Sequence, residues 1–182
     1  MRAFLAAAAL GLAACQSVPS GGGGGDVAAQ REAIDRHAQA TLDKLFALDV
    51  AAKAEIEAAP GYAVFDVSSV NAVLLVGQRG KGVLVEKSGK RTYMRAVRAG
   101  TGPGVGYQQM SQIFAFKSQA AIDQFKLAGK AGGDVSASAT LGTSGVQQSF
   151  NPTIRTWQTT DKGFAVQANW GGTAYLVDPD LN

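Results

Sequence analysis

The residues of this 182-residue chain that are best placed to do chemistry are basic, and they are crowded. Arg79, Lys81, Lys87, Lys90, Arg91, Arg95 and Arg98 stand within twenty positions against one acid, Glu86. That is a local charge of +6, where the whole chain carries +3. Guanidinium and ammonium groups at this density suit contact with phosphate or another anionic surface. Over the whole chain, acids and bases nearly balance. Charge therefore does not mark the protein as a nucleic-acid binder, and any electrostatic function is local.

The side chains of covalent and metal catalysis are scarce. His37 is the only histidine and Cys15 the only cysteine. A Ser-His-Asp triad would have to use His37, and no Gly-x-Ser-x-Gly elbow is present. One His and one Cys make no zinc site. The glycines at 100, 102, 104 and 106 fail the dinucleotide fingerprint, because Val105 and Tyr107 stand where its third glycine is needed. Asp134, Asp161, Asp178 and Asp180 lack the spacing of a calcium loop. The sequence thus predicts no enzyme, no metal and no cofactor. His37 reads as a solvated or half-buried helix residue.

The elements that must carry the basic cluster are strands rich in glycine. Nine of the 23 glycines lie between Gly61 and Gly106. Alternating glycines strip one face of a strand, so that another backbone, a helix or a ligand can approach. Tyr62–Val67 and Ala72–Gly77 read as strands. Val83–Lys87 and Arg91–Val97 form a hairpin around Ser88-Gly89, with Lys87, Lys90 and Arg91 at its tip. Ile113-Phe-Ala-Phe116 is apolar on both faces and should be central and buried. Ser118 caps a helix with Ile122, Phe125 and Leu127 inward and Gly129 at its end. Val135–Leu141 alternates small residues. Later strands run over Thr153–Gln158, from Phe164 to Trp170, and over Thr173–Val177, with turns at Thr160–Gly163 and Gly171-Gly172.

Two helices precede the sheet. From Asp26 onward, Val27, Ile34, Ala38, Leu42, Leu45 and Leu48 recur at three- and four-residue steps, an amphipathic pattern. Packed on the sheet, that stripe would cover the bare glycine face. A membrane-surface helix is the other reading, although its polar face mixes acids with bases. Val50–Ala58 follows, capped by Asp49 and stopped by Pro60-Gly61. The fold class is α+β: a twisted, mainly antiparallel, barrel-like sheet with two N-terminal helices and one short internal helix.

The N-terminus reads as a leader. Arg2 precedes an apolar run from Ala3 to Leu12, too short to span a bilayer as a helix. Leu12-Ala-Ala-Cys15 resembles the bacterial lipobox, whose Cys is acylated and becomes the first mature residue. The alternative is an ordinary signal peptide cleaved near Ala14. Residues 1–14 are thus a signal peptide, 15–25 an acylated Cys with a Gly-rich tether, and 26–182 the folded domain. A lone cysteine permits no intrachain disulfide.

The ordered series Gly61-Tyr-Ala-Val-Phe65, Gly80-Lys-Gly-Val-Leu84, Gly100–Gly106 with Gln108, and Phe114-Ala-Phe-Lys-Ser-Gln-Ala-Ala-Ile-Asp-Gln-Phe125 resembles the SYLF domain family (Ysc84 actin-binding domain type). Asp134 and Lys162-Gly-Phe164 continue it. Asp66 departs from the family pattern, as does the ending Asp178-Pro-Asp-Leu-Asn182. The resemblance implies binding to phospholipid, with actin binding in some members; neither actin nor nucleic acid is expected here. The lipobox, followed by Gln16 and not Asp, points to a lipoprotein of the cell envelope on the periplasmic side of the outer membrane, and the resemblance implies anionic phospholipid as its partner. Lys87, Lys90 and Arg91, with Arg79, Lys81, Arg95 and Arg98, are the candidate headgroup contacts. The same cluster also reads as a solvated edge that discourages sheet aggregation. An envelope protein partner, or carriage of a lipid or apolar ligand against the glycine face, is the alternative function.

Overall fold

The computed structural model describes residues 24–131, 153–167 and 173–182. The helices α1 (Gly24–Leu48) and α2 (Val50–Ala58) come first. The strands β1 (Gly61–Glu86) and β2 (Arg91–Phe116), helix α3 (Gln119–Ala131), and strands β3 (Ile154–Gln167) and β4 (Thr173–Val177) follow, then a 3-10 turn at Pro179–Leu181. The fold is α+β with a twisted antiparallel sheet. Strand β2 is its spine. It pairs with β1 on one edge, and with β3 and β4 on the other, and the described strands do not close into a barrel. The leader, Cys15, most of the tether, Asp134, Val135–Leu141 and Trp170 lie outside the described residues.

Local chemistry sets the element ends. Asp49 Oδ1 accepts from the Ala51 and Ala52 amides at 3.0 and 3.2 Å and caps α2. Ser118 Oγ accepts from the Ala121 amide at 3.2 Å and caps α3. That helix runs through Gly129 instead of ending there. Helix α1 begins at Gly24, two residues before the expected cap Asp26, which falls in its first turn.

The largest difference from expectation is in the strands. Tyr62–Val67, Ala72–Gly77 and Val83–Lys87 are not separate strands but parts of one 26-residue β1. Straight, such a strand would run about 85 Å, roughly twice the breadth of a domain of this size. It folds back instead at Val73, a non-glycine residue with φ +57°, where the pairing with β2 shifts register. The two legs then lie against each other. A Cβ on Gly82 would stand 2.3 Å from the Val64 carbonyl oxygen, and one on Gly80 would stand 2.3 Å from that of Asp66. These two glycines therefore admit the other leg of β1, not α1.

Two apolar layers result. Between the legs lie Phe65, Leu84, Met94, Phe114 and Phe116, closed off by Ile122 and Phe125 of α3. Phe125 stacks on Tyr175 with ring centroids 5.2 Å apart, and Phe65 meets Tyr175 at 4.8 Å. On the outer face, Leu42, Leu45 and Ile56 pack on Val64, Val83, Ile113 and Trp157. Ile113 through Phe116 are all buried, as their two-faced apolarity predicts. Leu48 and Leu127 are exposed, contrary to their place in the helical patterns. The turn expected at Thr160–Gly163 is a bulge within β3: Met110 faces Thr160 and Gln109 faces Lys162, leaving Asp161 as the extra residue.

Lys126 ties α3 to the end of β1 through Glu86, which also accepts from Gln119. The hydrogen bond from Lys126 holds the Glu86 carboxyl below its ordinary value of 4.5. A lowered carboxylate contributes stability that is present above the unfolded value and lost as pH falls through the folded one. Glu86→Gln should therefore cost about 1 kcal/mol at pH 7, a difference that shrinks in urea melts taken at progressively lower pH from about 4.5 downward. Gly82→Val should cost more, about 3 kcal/mol or loss of folding, because the rigid carbonyl behind it cannot move aside. Gly77→Ala, whose added Cβ meets nothing within 4 Å, should leave the melting temperature within a degree or two.

Candidate functional site

The hairpin turn that carries the basic tip is well built. The Glu86 amide donates to the Lys90 carbonyl at 2.9 Å and the Gly89 amide to the Glu86 carbonyl at 2.8 Å, with Gly89 at φ +86°. The Lys87 amide donates to the Pro60 carbonyl at 2.7 Å, which pins the turn beside the start of β1. Lys87 and Lys90 point to solvent. Arg91 is exposed too, but it is ion-paired: its Nη1 lies 2.6 Å from Asp35 Oδ1 on α1. The hydrogen bond to Asp35 pushes the Arg91 guanidinium higher still. Asp35 Oδ2 also accepts from the Tyr93 hydroxyl at 3.1 Å. Burial first, and the Asp35 carboxylate second, push the Tyr93 phenol above its usual 10.

The remaining bases fall elsewhere. Lys81 and Arg95 are register partners on the outer face, and Arg79 faces Val97 beside them. They line a groove of about 650 Å³ between α1 and the sheet. Asp66, Asp178 and Asp180 line the same groove, so its charge is mixed. Lys81 Nζ donates to Gln30 Oε1 of α1 at 2.6 Å. Arg98 follows Met94 and Ala96 on the opposite, inner face, as strand alternation requires. The turn and the fold-back at Val73 sit at opposite ends of β1's legs, about 40 Å of extended chain apart. The structure therefore distributes the seven candidate bases over three places: the turn, the groove and the inner face.

His37 is half-buried in the groove wall. Its Nε2 lies 3.2 Å from both Ser111 Oγ and Thr41 Oγ1, and its Nδ1 lies 4.0 Å from Asp66 Oδ2. A serine, the histidine and an aspartate thus meet, although no sequence motif announces them. Ser111 is 1% exposed, so its hydroxyl reaches no substrate. The Asp66 separation is too long for a hydrogen bond, and Asp66 Oδ1 accepts from Gln109 at 3.3 Å instead. What these contacts do is fix α1 on the sheet.

A feature that sequence reasoning missed lies at the fold-back. Val70, Val73, Leu74, Leu75, Val105 and Tyr107 are 49–67% exposed, and Val97 adds to them. Val70 pairs with Tyr107 and Ala72 with Val105, so much of the group shares the outer face, past the end of α1's cover. The run Val73-Leu-Leu-Val76 reads in sequence as part of the strand Ala72–Gly77. Across the ladder Val73 faces Gly104, which has no side chain to cover it, whereas Val76, opposite Gly100, is buried. A contiguous exposed apolar patch beside cationic side chains marks an interaction surface.

No protein-family model matches the chain, and no solved structure matches it. The chain is 34% identical over 153 residues, 83% of its length, to Beta cell expansion factor A of Aeromonas veronii. It spans 58% of the length of that relative.

Asp35 joins α1 to two β2 residues, and its removal should be legible in the tyrosines. In Asp35→Asn, Tyr93 should titrate at lower pH than in the parent, because a negative acceptor that opposes phenolate formation is gone. Tyrosinate absorbance across an alkaline titration reads this. An unchanged profile would show that burial alone sets the Tyr93 shift.

Proposed function

We propose that the protein binds anionic phospholipid surfaces of the cell envelope, held near them by acylation at Cys15. The observation that carries this reading is the exposed apolar patch at the fold-back, with Arg79 and Arg95 behind it on the same face. In this reading Leu74, Leu75 and Val105 enter the headgroup region while the two arginines stay at phosphate level. Burying a Leu or Val side chain contributes roughly 1.5–3 kcal/mol, and a base near an anionic surface about 1 kcal/mol. In this reading the patch outweighs the charge, and the turn lysines carry less of the binding. Lys87 and Lys90 would contribute only in an orientation that lays the whole hairpin flat. Arg91 is already engaged by Asp35. The resemblance to the SYLF family supports the same ligand class.

The test is vesicle co-sedimentation of the Cys15→Ser protein, which carries no acyl chain. It should pellet with vesicles containing phosphatidylglycerol and much less with phosphatidylcholine alone. Leu74→Glu/Leu75→Glu should reduce pelleting at least tenfold, and Lys87→Glu/Lys90→Glu by no more than about threefold. Equal failure to pellet with both vesicles would sink this reading and favour an envelope protein as the occupant of the patch.

A further inference from the structure

The space between β1's two legs changes character along its length. Near the start of β1 it is filled by Phe65, Val67, Leu84 and Met94. Toward the fold-back, the same inward positions become polar. On the first leg, Phe65 and Val67 are followed inward by Ser69 and Asn71, which are 3% and 4% exposed. On the second leg, Leu84, Gly82 and Gly80 are followed inward by Gln78, 7% exposed. On β2, Ala96 is followed inward by Arg98, the register partner of both Gln78 and Thr173. Register partners on one face hold their Cβ atoms about 5 Å apart. The close contacts of Gly82 with Val64 and of Gly80 with Asp66 and Val67 set how the legs face each other. Continued toward Val73, that pairing brings Gln78 to the level of Ser69, with Asn71 one step beyond.

Four atoms of these groups are unpartnered. Asn71 Nδ2 and Oδ1, Gln78 Nε2 and Arg98 Nε are all buried without a hydrogen-bond partner. Native proteins rarely leave such atoms alone, and a group of them on neighbouring inward positions asks for a water or an ion. Water could satisfy a donor, but it does not neutralise a guanidinium. Arg98 has no acid partner among the described residues. Three of the four atoms are N–H donors, and one belongs to a cation. Donors from two buried amides beside a half-buried guanidinium that no acid answers suit an anion with several acceptor oxygens.

We propose that Arg98, Gln78 and Asn71 form a binding site for a phosphate-type oxyanion between the legs of β1, just inside the apolar patch. The ligand is a phosphate group, borne either by a lipid headgroup or by a free small molecule. The site does not depend on the membrane reading, since an oxyanion in solution would satisfy the same donors.

The experiment uses the isotope-labelled full chain. It follows by NMR the side-chain amide protons of Asn71 and Gln78 and the Arg98 Nε–H. One titration uses inorganic phosphate and the other dihexanoyl phosphatidic acid below its micelle concentration. The three side-chain signals should shift together and saturate in at least one titration. Saturation with inorganic phosphate identifies a free-anion site; saturation with the lipid alone identifies a headgroup site. Arg98→Gln should weaken the binding at least tenfold. Asn71→Leu should weaken it too while melting no lower than the parent, since an apolar replacement removes an unsatisfied buried group. No concerted shift with either titrant, or the same affinity in Arg98→Gln, would overturn the proposal. Failure of vesicle binding with the shifts intact would overturn only the membrane reading.

Discussion

Everything in this fold depends on two legs of one strand lying backbone against backbone. Gly80 and Gly82 leave 2.3 Å between a would-be Cβ and a carbonyl oxygen, a separation no side chain tolerates. That contact lets a 26-residue strand fit inside a domain of ordinary size. It sets the Phe65 ring against Gly82, in the apolar cluster that also holds Leu84 and that α3 completes with Ile122 and Phe125. It also produces the exposed corner, because the chain must turn somewhere, and at the turn no further layer among the described residues covers Leu74 and Leu75.

The helical layer is fastened by polar contacts as well as by Leu42 and Leu45. Asp35 holds Arg91 and Tyr93, His37 meets Ser111, and Arg31 Nε donates to the Leu181 carbonyl at 2.9 Å. Asn182 completes the arrangement by accepting from the Tyr93 amide and donating to its carbonyl. These links consume part of the charge that looks free in the sequence. A stretch with seven bases and one acid has some of its charge answered by acids from distant parts of the chain. Linear charge counts cannot see Asp35 or Asp178 arriving from fifty or eighty positions away.

Much of the architecture was legible. Both N-terminal helices, the Asp49 and Ser118 caps, the Ser88-Gly89 hairpin and the buried Ile113–Phe116 segment follow from periodicity and capping chemistry. The fold-back was not, because glycine signals that something comes close without saying what. The sequence reading set α1 over a bare glycine face, and at Gly80 and Gly82 the neighbour is β1's own first leg. The apolar corner went unseen for a related reason. Exposure at Val73 depends on what Gly104 fails to provide across the ladder, and pairing register is not local information. The Ser111, His37 and Asp66 meeting was likewise beyond reach, since it joins a helix to two strands.

The register shift at Val73 acts as a phase element. Before it, odd-numbered residues of β1 point inward, as Ala63, Phe65 and Val67 do; after it, even-numbered ones do, as Gln78 and Leu84 show. One side of the second leg therefore carries Arg79 and Lys81, while the other carries Gln78, Gly80 and Gly82. Adding or deleting a single residue between Val76 and Gln78 would exchange the two sets at once. Arginine and lysine would be driven against the Val64 and Asp66 carbonyls, and the glycines would be turned out to solvent. The outward charge, the inward donors and the leg-to-leg contact are thus three readings of one phase, and the chain cannot vary any of them alone by changing its length there.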